Sequence, residues 1–392
     1  MKASKLVSLA IFLGATSAQA QSEADLYPKN TTFRDYAKRD RLLLGGLDYV
    51  SPAQLHENEG LRARVEGEVL NSQLKKNGVG SDLQNPTINA AVVYGWQDLT
   101  FGVRGVYSDA ENKSADATEN KEKFQSSRVI PEIAYTFGKY FTAGFGAEVS
   151  RVGVTESSLT RNQYDIGYTR YIGGIAYHEP AFEIGGAFTS EVQADDGIGL
   201  DSPRGSQAGF GLATNPDISP NLPPTGLSLS QGPRDLLNQD RSVYLPATGT
   251  IYARGNLTDN FSLAANASLA KYDGNVEGAV QLFEQYKTSD RLASRVVATY
   301  WTDARSRISA AAEYKGGAST EIGAEESGLG YRLANLYGGS LEGVYAISRT
   351  AYLGALYSFM RGERNDTVTE NNDRYTAKEE SQKWAGSVTV KF

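Results

Sequence analysis

The chain has 392 residues, with 39 Lys and Arg against 46 Asp and Glu, two His and no Cys. The acidic balance speaks against a nucleic-acid partner, which needs a basic patch. Without cysteine there are no disulfides and no thiolate metal sites, and no His/Cys cluster or strand–turn–helix glycine loop marks a metal or phosphate site, so no metal and no cofactor is expected.

The first twenty residues read as a secretory signal peptide. Lys2 and Lys5 form a positive start, LVSLAIFLG (6–14) is a short apolar core, and Ala18-Gln19-Ala20 is an A-x-A cleavage site. The apolar core is too short to span a bilayer as a helix, and no later run reaches about 18 apolar residues. Setting Lys2 and Lys5 aside takes the 39 basic residues to 37 against 46 acidic ones, a formal charge of −9.

Residues 21–60 are a polar lead-in with one apolar patch, RLLLGGLDYVSPAQL (41–55). They are expected to start in the periplasm, as a tail or as a plug. From Leu61 onward the chain alternates apolar and polar residues, the period of a strand with one apolar face. The predicted strands are 61–70, 88–96, 99–108, 127–137, 140–150, 165–177, 181–192, 243–257, 261–272, 291–301, 305–315, 330–347, 351–360 and 383–392, fourteen in all.

The connections alternate between short and long. The short ones are Gln97-Asp98, Gly138-Lys139, 178–180, 258–260, 302–304 and 348–350. The others are polar, as in 109–125 and 361–380, and the longest, 193–240, holds the proline cluster SPNLPP (219–224). Tight turns at one end and long polar loops at the other define an all-β fold, an antiparallel transmembrane β-barrel of about 14 strands with short periplasmic turns and long extracellular loops. Such strands need only about 9–11 residues to cross, and closure leaves no backbone edge unpaired in lipid. Residues 61–392 form the barrel in this reading. A soluble sandwich does not explain the alternating connections, and it hides its aromatics inside. Here Tyr94, Trp96, Tyr135, Phe137, Tyr140, Phe141, Tyr177 and Phe182 flank short turns, joined by Tyr300, Tyr352, Trp384 and Phe392, as in an interfacial girdle.

Strand parity sorts the charges. With Leu61, Ala63, Val65 and Val69 on lipid, Arg62, Arg64, Glu66 and Glu68 turn inward. The same parity turns Arg104, Arg128, Glu132, Glu148, Arg170, Glu183, Arg254, Arg295, Arg307, Glu313, Arg332 and Glu342 inward, because an Arg near the midplane of the lipid face costs about 2–4 kcal/mol. These residues either fill the barrel as a salt-bridge network or line a water-filled pore. Eight strands enclose only side chains and 16–18 leave a channel. Fourteen lies nearer the second, so the expected function is passive diffusion of small hydrophilic solutes or ions.

Two alternatives share the fold: a plugged barrel carrying hydrophobic substrates, and a barrel that anchors binding loops at the cell surface. An enzyme is not expected. His56 precedes the barrel and His178 falls in a short turn, so neither pairs with a nucleophile at the outer end. Asp195, Asp196, Glu325 and Glu326 in the long loops read as solvated charge, with binding of Ca²⁺ or bridging to lipopolysaccharide through divalent ions as the alternative.

The last strand, KWAGSVTVKF (383–392), places Trp384, Val388, Val390 and Phe392 on one face. It resembles the C-terminal strand of Gram-negative outer-membrane barrels, which ends on an aromatic read by the barrel-assembly machinery. The resemblance implies the outer membrane as location, with its lipids, lipopolysaccharide and the assembly machinery as partners besides small solutes. It leaves oligomeric state open. The strand count is shared by monomeric general porins and by the long-chain fatty-acid transporter family, whose N-terminal hatch is about as long as residues 21–60. No motif chooses between them.

Overall fold

The computed structural model describes residues 51–57, 60–76, 79–114, 121–156, 163–179, 181–195, 209–212, 227–230, 242–245, 247–258, 260–271, 286–288, 291–302, 305–316, 319–322, 331–332, 335–348, 350–367 and 374–392. The signal peptide and most of the segment before the barrel lie outside these residues.

Fourteen antiparallel strands close on themselves. In chain order they are β1 (Gly60–Lys76), β2 (Val79–Trp96), β3 (Leu99–Ser114), β4 (Lys121–Phe137), β5 (Phe141–Glu156), β6 (Gln163–His178) and β7 (Phe182–Thr189). Then follow β8 (Ala247–Asn256), β9 (Phe261–Lys271), β10 (Arg291–Trp301), β11 (Ser306–Lys315), β12 (Leu336–Ser348), β13 (Ala351–Thr367) and β14 (Arg374–Lys391). Each pairs with its sequence neighbour, and β1 pairs with β14 to shut the ring, with Val65 opposite Val388 and Val69 opposite Trp384. The backbone of Phe392 extends this seam, its N–H donating to the Leu61 carbonyl at 3.0 Å.

The two faces follow the predicted parity. Along β3, Phe101, Val103 and Tyr107 are exposed while Arg104, Val106 and Ser108 are buried. Large apolar side chains such as Phe145, Ile175, Phe188, Ile251 and Val296 face outward, around the whole ring. In water that surface would be a liability far beyond the usual few hundred Å² patch. In lipid it is the band that holds the barrel in place.

Several boundaries differ from the sequence reading. The strands β1 to β5 and β13–β14 run well past their apolar stretches, so 109–125 and 361–380 are mostly strand: β3 and β4 pair as far as Lys113 with Lys121, and β13 and β14 as far as Thr367 with Arg374. There the strands continue beyond the hydrocarbon, where polar residues on both faces cost nothing and the alternation fades. The loop 193–240 contains the paired strands Gly209–Leu212 and Leu227–Ser230, and the predicted strand 243–257 is split, Ser242–Leu245 pairing with Val192–Asp195 outside the barrel and Ala247–Asn256 lying in it. The predicted strand 330–347 is two pieces. Leu336–Ser348 belongs to the barrel, but Tyr331–Arg332 joins Ser319–Ile322 and Tyr286–Thr288 in a separate three-stranded sheet. Arg332 is therefore on no barrel strand.

The aromatic girdle also needs correction. Tyr94, Trp96, Tyr135, Phe137 and Phe141 face outward at the short-turn end, and Tyr177 touches both Phe141 and Phe182 with ring centroids 4.9 and 5.8 Å apart. Tyr352, however, is buried, because the even-numbered residues of β13 point inward. Trp384 is exposed but pairs with Val69 and Tyr357, well along the strands from the short turns. The turn at Gln97 is tight enough that this residue takes φ 53°, a left-handed conformation with a steric cost for any residue but glycine.

Candidate functional site

The inner wall carries the site. Of the sequence candidates, Arg62, Arg64, Glu66, Glu68, Arg104, Arg128, Glu132, Glu148, Glu183, Arg295, Arg307, Glu313 and Glu342 are buried on the interior face, and Arg170 and Arg254 are partly so. The β6 phase is set by buried Tyr168 and Ile172; Arg170 shares their parity, as predicted, and its Nε donates to the Ser190 carbonyl at 2.9 Å.

The structure brings most of these charges together across neighbouring strands. Arg104 meets Glu132 at 2.9 Å, Arg254 meets Glu183 at 2.8 Å, and Arg295 meets Glu313 at 3.1 Å. Arg307 lies 3.6 Å from Glu342 and Arg128 3.8 Å from Glu148. Arg64 pairs with Glu66 along β1, and Asn89 of β2 donates to the same carboxylate at 3.2 Å. Glu313 accepts a further bond from Ser340, and Glu148 one from Tyr168 at 3.1 Å. Lys383 of β14, 3.7 Å from Glu68, was missed from sequence. Its parity with Ala385, Ser387 and Thr389 was the available signal.

This band is packed. The side chains of Arg104 and Glu132 are 3% and 0% exposed. A small recess lined by Arg64, Glu66, Asn89, Ala91, Arg104 and Val106 opens beside it. Side chains that lined a wide aqueous bore would be wet. These are covered and mostly paired, which lowers the cost of keeping ionised groups out of water, although guanidinium nitrogens of Arg64, Arg128 and Arg307 make no hydrogen bond. Among the described residues the wall is thus a buried salt-bridge network.

The second element of the site is the segment before β1. Residues 52–57, PAQLHE, form one 3-10 helix inside the barrel at the short-turn end. Ser51, Ala53 and Leu55 are fully buried. Leu55 packs with Ala91, Val93 and Ala134 of the wall, and Ala53 with Ala176 and Tyr252. Full burial of one Leu side chain contributes about 2 kcal/mol. Ser51 and Gln54 close the first turn, the Gln54 Oε1 accepting the Ser51 N–H at 3.0 Å.

Glycines make the room. A Cβ at Gly144 would lie 2.4 Å from the Pro52 carbonyl carbon and the Ala53 nitrogen, and one at Gly174 would collide with the Ser51 hydroxyl. A Cβ at Gly102 would touch Leu55 at 3.4 Å. Three adjacent parts of the wall are therefore bare where the helix lies. This seat was not foreseen, since glycines are frequent throughout the chain.

The two histidines meet at this seat. His178 is the last residue of β6 and not part of the turn, and its ring stacks on His56 with centroids 3.8 Å apart and planes 17° apart. His178 Nε2 lies 3.0 Å from the Thr142 hydroxyl, which lies 3.1 Å from that of Thr136. His56 Nδ1 is 2.8 Å from the Ala53 carbonyl. That oxygen can only accept, so Nδ1 carries the proton and His56 Nε2 is bare. Burial, and then the neighbouring His178, push the His56 pKa down to about 4. Among the described residues, no group of three or more His, Asp or Glu could hold a metal. The side chain of Asp195, and Asp196, Glu325 and Glu326, lie outside the described residues.

A closed ring of fourteen antiparallel strands with an apolar outer face and a charged, packed interior defines an outer-membrane β-barrel. Solved structures share that fold. The chain is similar to a FadL homologue of Pseudomonas aeruginosa, with TM-score 0.60 and 13% identity over 91% of this chain and 98% of the other. It is similar to the toluene transporter TodX of Pseudomonas putida, with TM-score 0.57 and 10% identity over 91% and 98% of the two chains. The toluene transporter TbuX of Ralstonia pickettii matches with TM-score 0.54 and 12% identity over 87% and 92%. No family model and no curated protein sequence matches the chain.

Proposed function

We propose that this protein is an outer-membrane channel for small apolar molecules, closed at its periplasmic end by its own N-terminal segment. The observation that carries this reading is the helix Pro52–Glu57, buried inside the barrel on a seat of glycines. The fold neighbours support it, two of them being toluene transporters and one a FadL homologue. The packed Arg–Glu band supports it as well, since an open diffusion pore needs a wet wall. Passive diffusion of hydrophilic solutes, the first expectation from strand count, fits this interior less well. The reading includes export by a cleaved signal peptide at residues 1–20. It also includes contact with lipopolysaccharide and other outer-membrane lipids, and recognition of Trp384, Val388, Val390 and Phe392 by the assembly machinery.

The test compares the mature protein with a variant lacking residues 21–57, in planar bilayers and in a cellular toluene-uptake assay. The expected result is a nearly silent parent that takes up toluene, and a deletion variant with stable ion conductance. Large open steps from the parent, with no toluene uptake, would return the reading to a hydrophilic porin.

A further inference from the structure

Both histidines of this chain sit in one stack, one on the N-terminal helix and one on the barrel wall. Nothing in the proposed transport of apolar molecules uses them. Two imidazoles 3.8 Å apart are compatible with each other only while at least one is neutral, because like charges at that distance repel strongly. The His56 ring is also bound through Nδ1 to the helix's own Ala53 carbonyl, so a charge on it is a charge on the helix.

The carboxylates described on the strands around the stack each have a partner of their own. The helix packs mainly on β3, β4, β5 and β6 and touches β2 through Leu55 and β8 through Ala53. From β3 and β4 come Arg104 and Glu132, joined to each other. From β5 comes Glu148, held by Arg128, Ser150 and Tyr168. From β6 come Arg170, whose Nε is on Ser190, and His178 itself, followed by Glu179, which accepts the Tyr177 hydroxyl. Glu183 of β7 stands directly opposite His178 in the sheet and is held by Arg254 of β8 at 2.8 Å. Glu57 follows His56 at the end of the helix.

We propose that the His56–His178 stack is a proton-sensitive latch: it holds the N-terminal segment in its seat when both rings are not charged together, and acidification releases it. This rests on the reading of that segment as the periplasmic plug, and extends it to the regulation of the same site. The two fail separately, because seating of the helix is measured without any transported solute.

The chain has no cysteine, so a single Leu55→Cys places one thiol under the helix without added bulk. Its modification by a charged methanethiosulfonate is followed in refolded, heat-modifiable protein between pH 7.5 and pH 4.5. Each rate is divided by that of Thr258→Cys, in an exposed turn, at the same pH. With both histidines present the normalised rate should rise about 10- to 100-fold on acidification, the change in opening equilibrium for a ring that takes up its proton mainly when released. His56→Gln should flatten the profile, and His178→Gln should shrink it. A flat profile in the presence of both histidines overturns the latch. So does a full rise that survives in either variant. Toluene uptake alongside a flat profile would sink the latch and leave the channel standing.

Discussion

Arg104 of β3 and Glu132 of β4 face each other inside the barrel through two parallel contacts, Nη2 to Oε1 at 2.9 Å and Nε to Oε2 at 3.1 Å. Neither side chain reaches water. A forked pair of this kind satisfies both charges at once, but its value is conditional: removing one partner strands the other. Glu132→Gln should therefore destabilise the barrel by about 3–5 kcal/mol, while the double substitution Arg104→Met with Glu132→Leu should cost much less. Urea unfolding in lipid vesicles, read by tryptophan fluorescence, gives both values. Equal losses in the single and double variants would mean that the pair is not stranded by the single change.

Gly144 separates the stability of the wall from the seating of the helix. The position lies on β5, paired with Ala134 and Gly174 in the sheet, and an alanine is acceptable to a strand. Its Cβ, however, would lie 2.4 Å from the backbone of Pro52 and Ala53, where no side-chain rotation can relieve it. Gly144→Ala should leave folding yield intact and dislodge the helix, giving channel openings at least tenfold more frequent than in the parent. Single-channel recording checks this. An unchanged record would show that the helix shifts without leaving.

How much of this was visible beforehand follows from which forces act locally. Strand existence and facing are set residue by residue by lipid on one side, so the alternation in 99–108 named Arg104 as inward and Phe101 as outward without any knowledge of partners. Where lipid is absent the signal ends, and β3 runs on through Lys113 in a stretch read as loop. Arg332 was misplaced for a different reason: Tyr331 and Leu333 keep the parity of Tyr337, but Tyr331–Arg332 pairs with Ser319–Thr320 in a sheet apart from the barrel. Tyr352 shows the limit of composition: an aromatic beside a short turn suggested a girdle, but parity within β13 sends it inward. The helix seat was invisible because it is a relation between residues far apart in the chain. Ser51 needs Gly174, and Ala53 needs Gly144, while His56 and His178 each looked idle alone.

The His56 environment also makes overall stability depend on pH, in a direction that can be worked out. Its pKa in the folded protein, about 4, lies below the ordinary 6.5, so the unfolded chain binds more protons between these values. The contribution of His56 is full above pH 6.5, declines as pH falls through the window, and changes no further below pH 4, by a total on the order of 3 kcal/mol. His56→Gln should reduce this slope in urea midpoints measured at pH 7.5, 5.5 and 4.5, leaving the part that burial of His178 supplies. A slope of the same size in that variant would assign it to other groups.

Ile251 tests the membrane itself. It lies at the centre of β8, opposite Gly186 on one side and Ala267 on the other, with 69% of its surface exposed. In a water-soluble sheet such a position would accept Arg within about 0.5 kcal/mol, because nothing packs on it. In a bilayer the same guanidinium faces hydrocarbon, and the cost is about 2–4 kcal/mol at the midplane, falling toward the interfaces. Thr258→Arg, in the turn only a few residues away, keeps the charge in water and should be nearly neutral. The contrast between the two variants, measured in vesicles, therefore reads depth and not charge. If Ile251→Arg were as harmless as Thr258→Arg, the outward apolar band would have to be covered by something other than lipid.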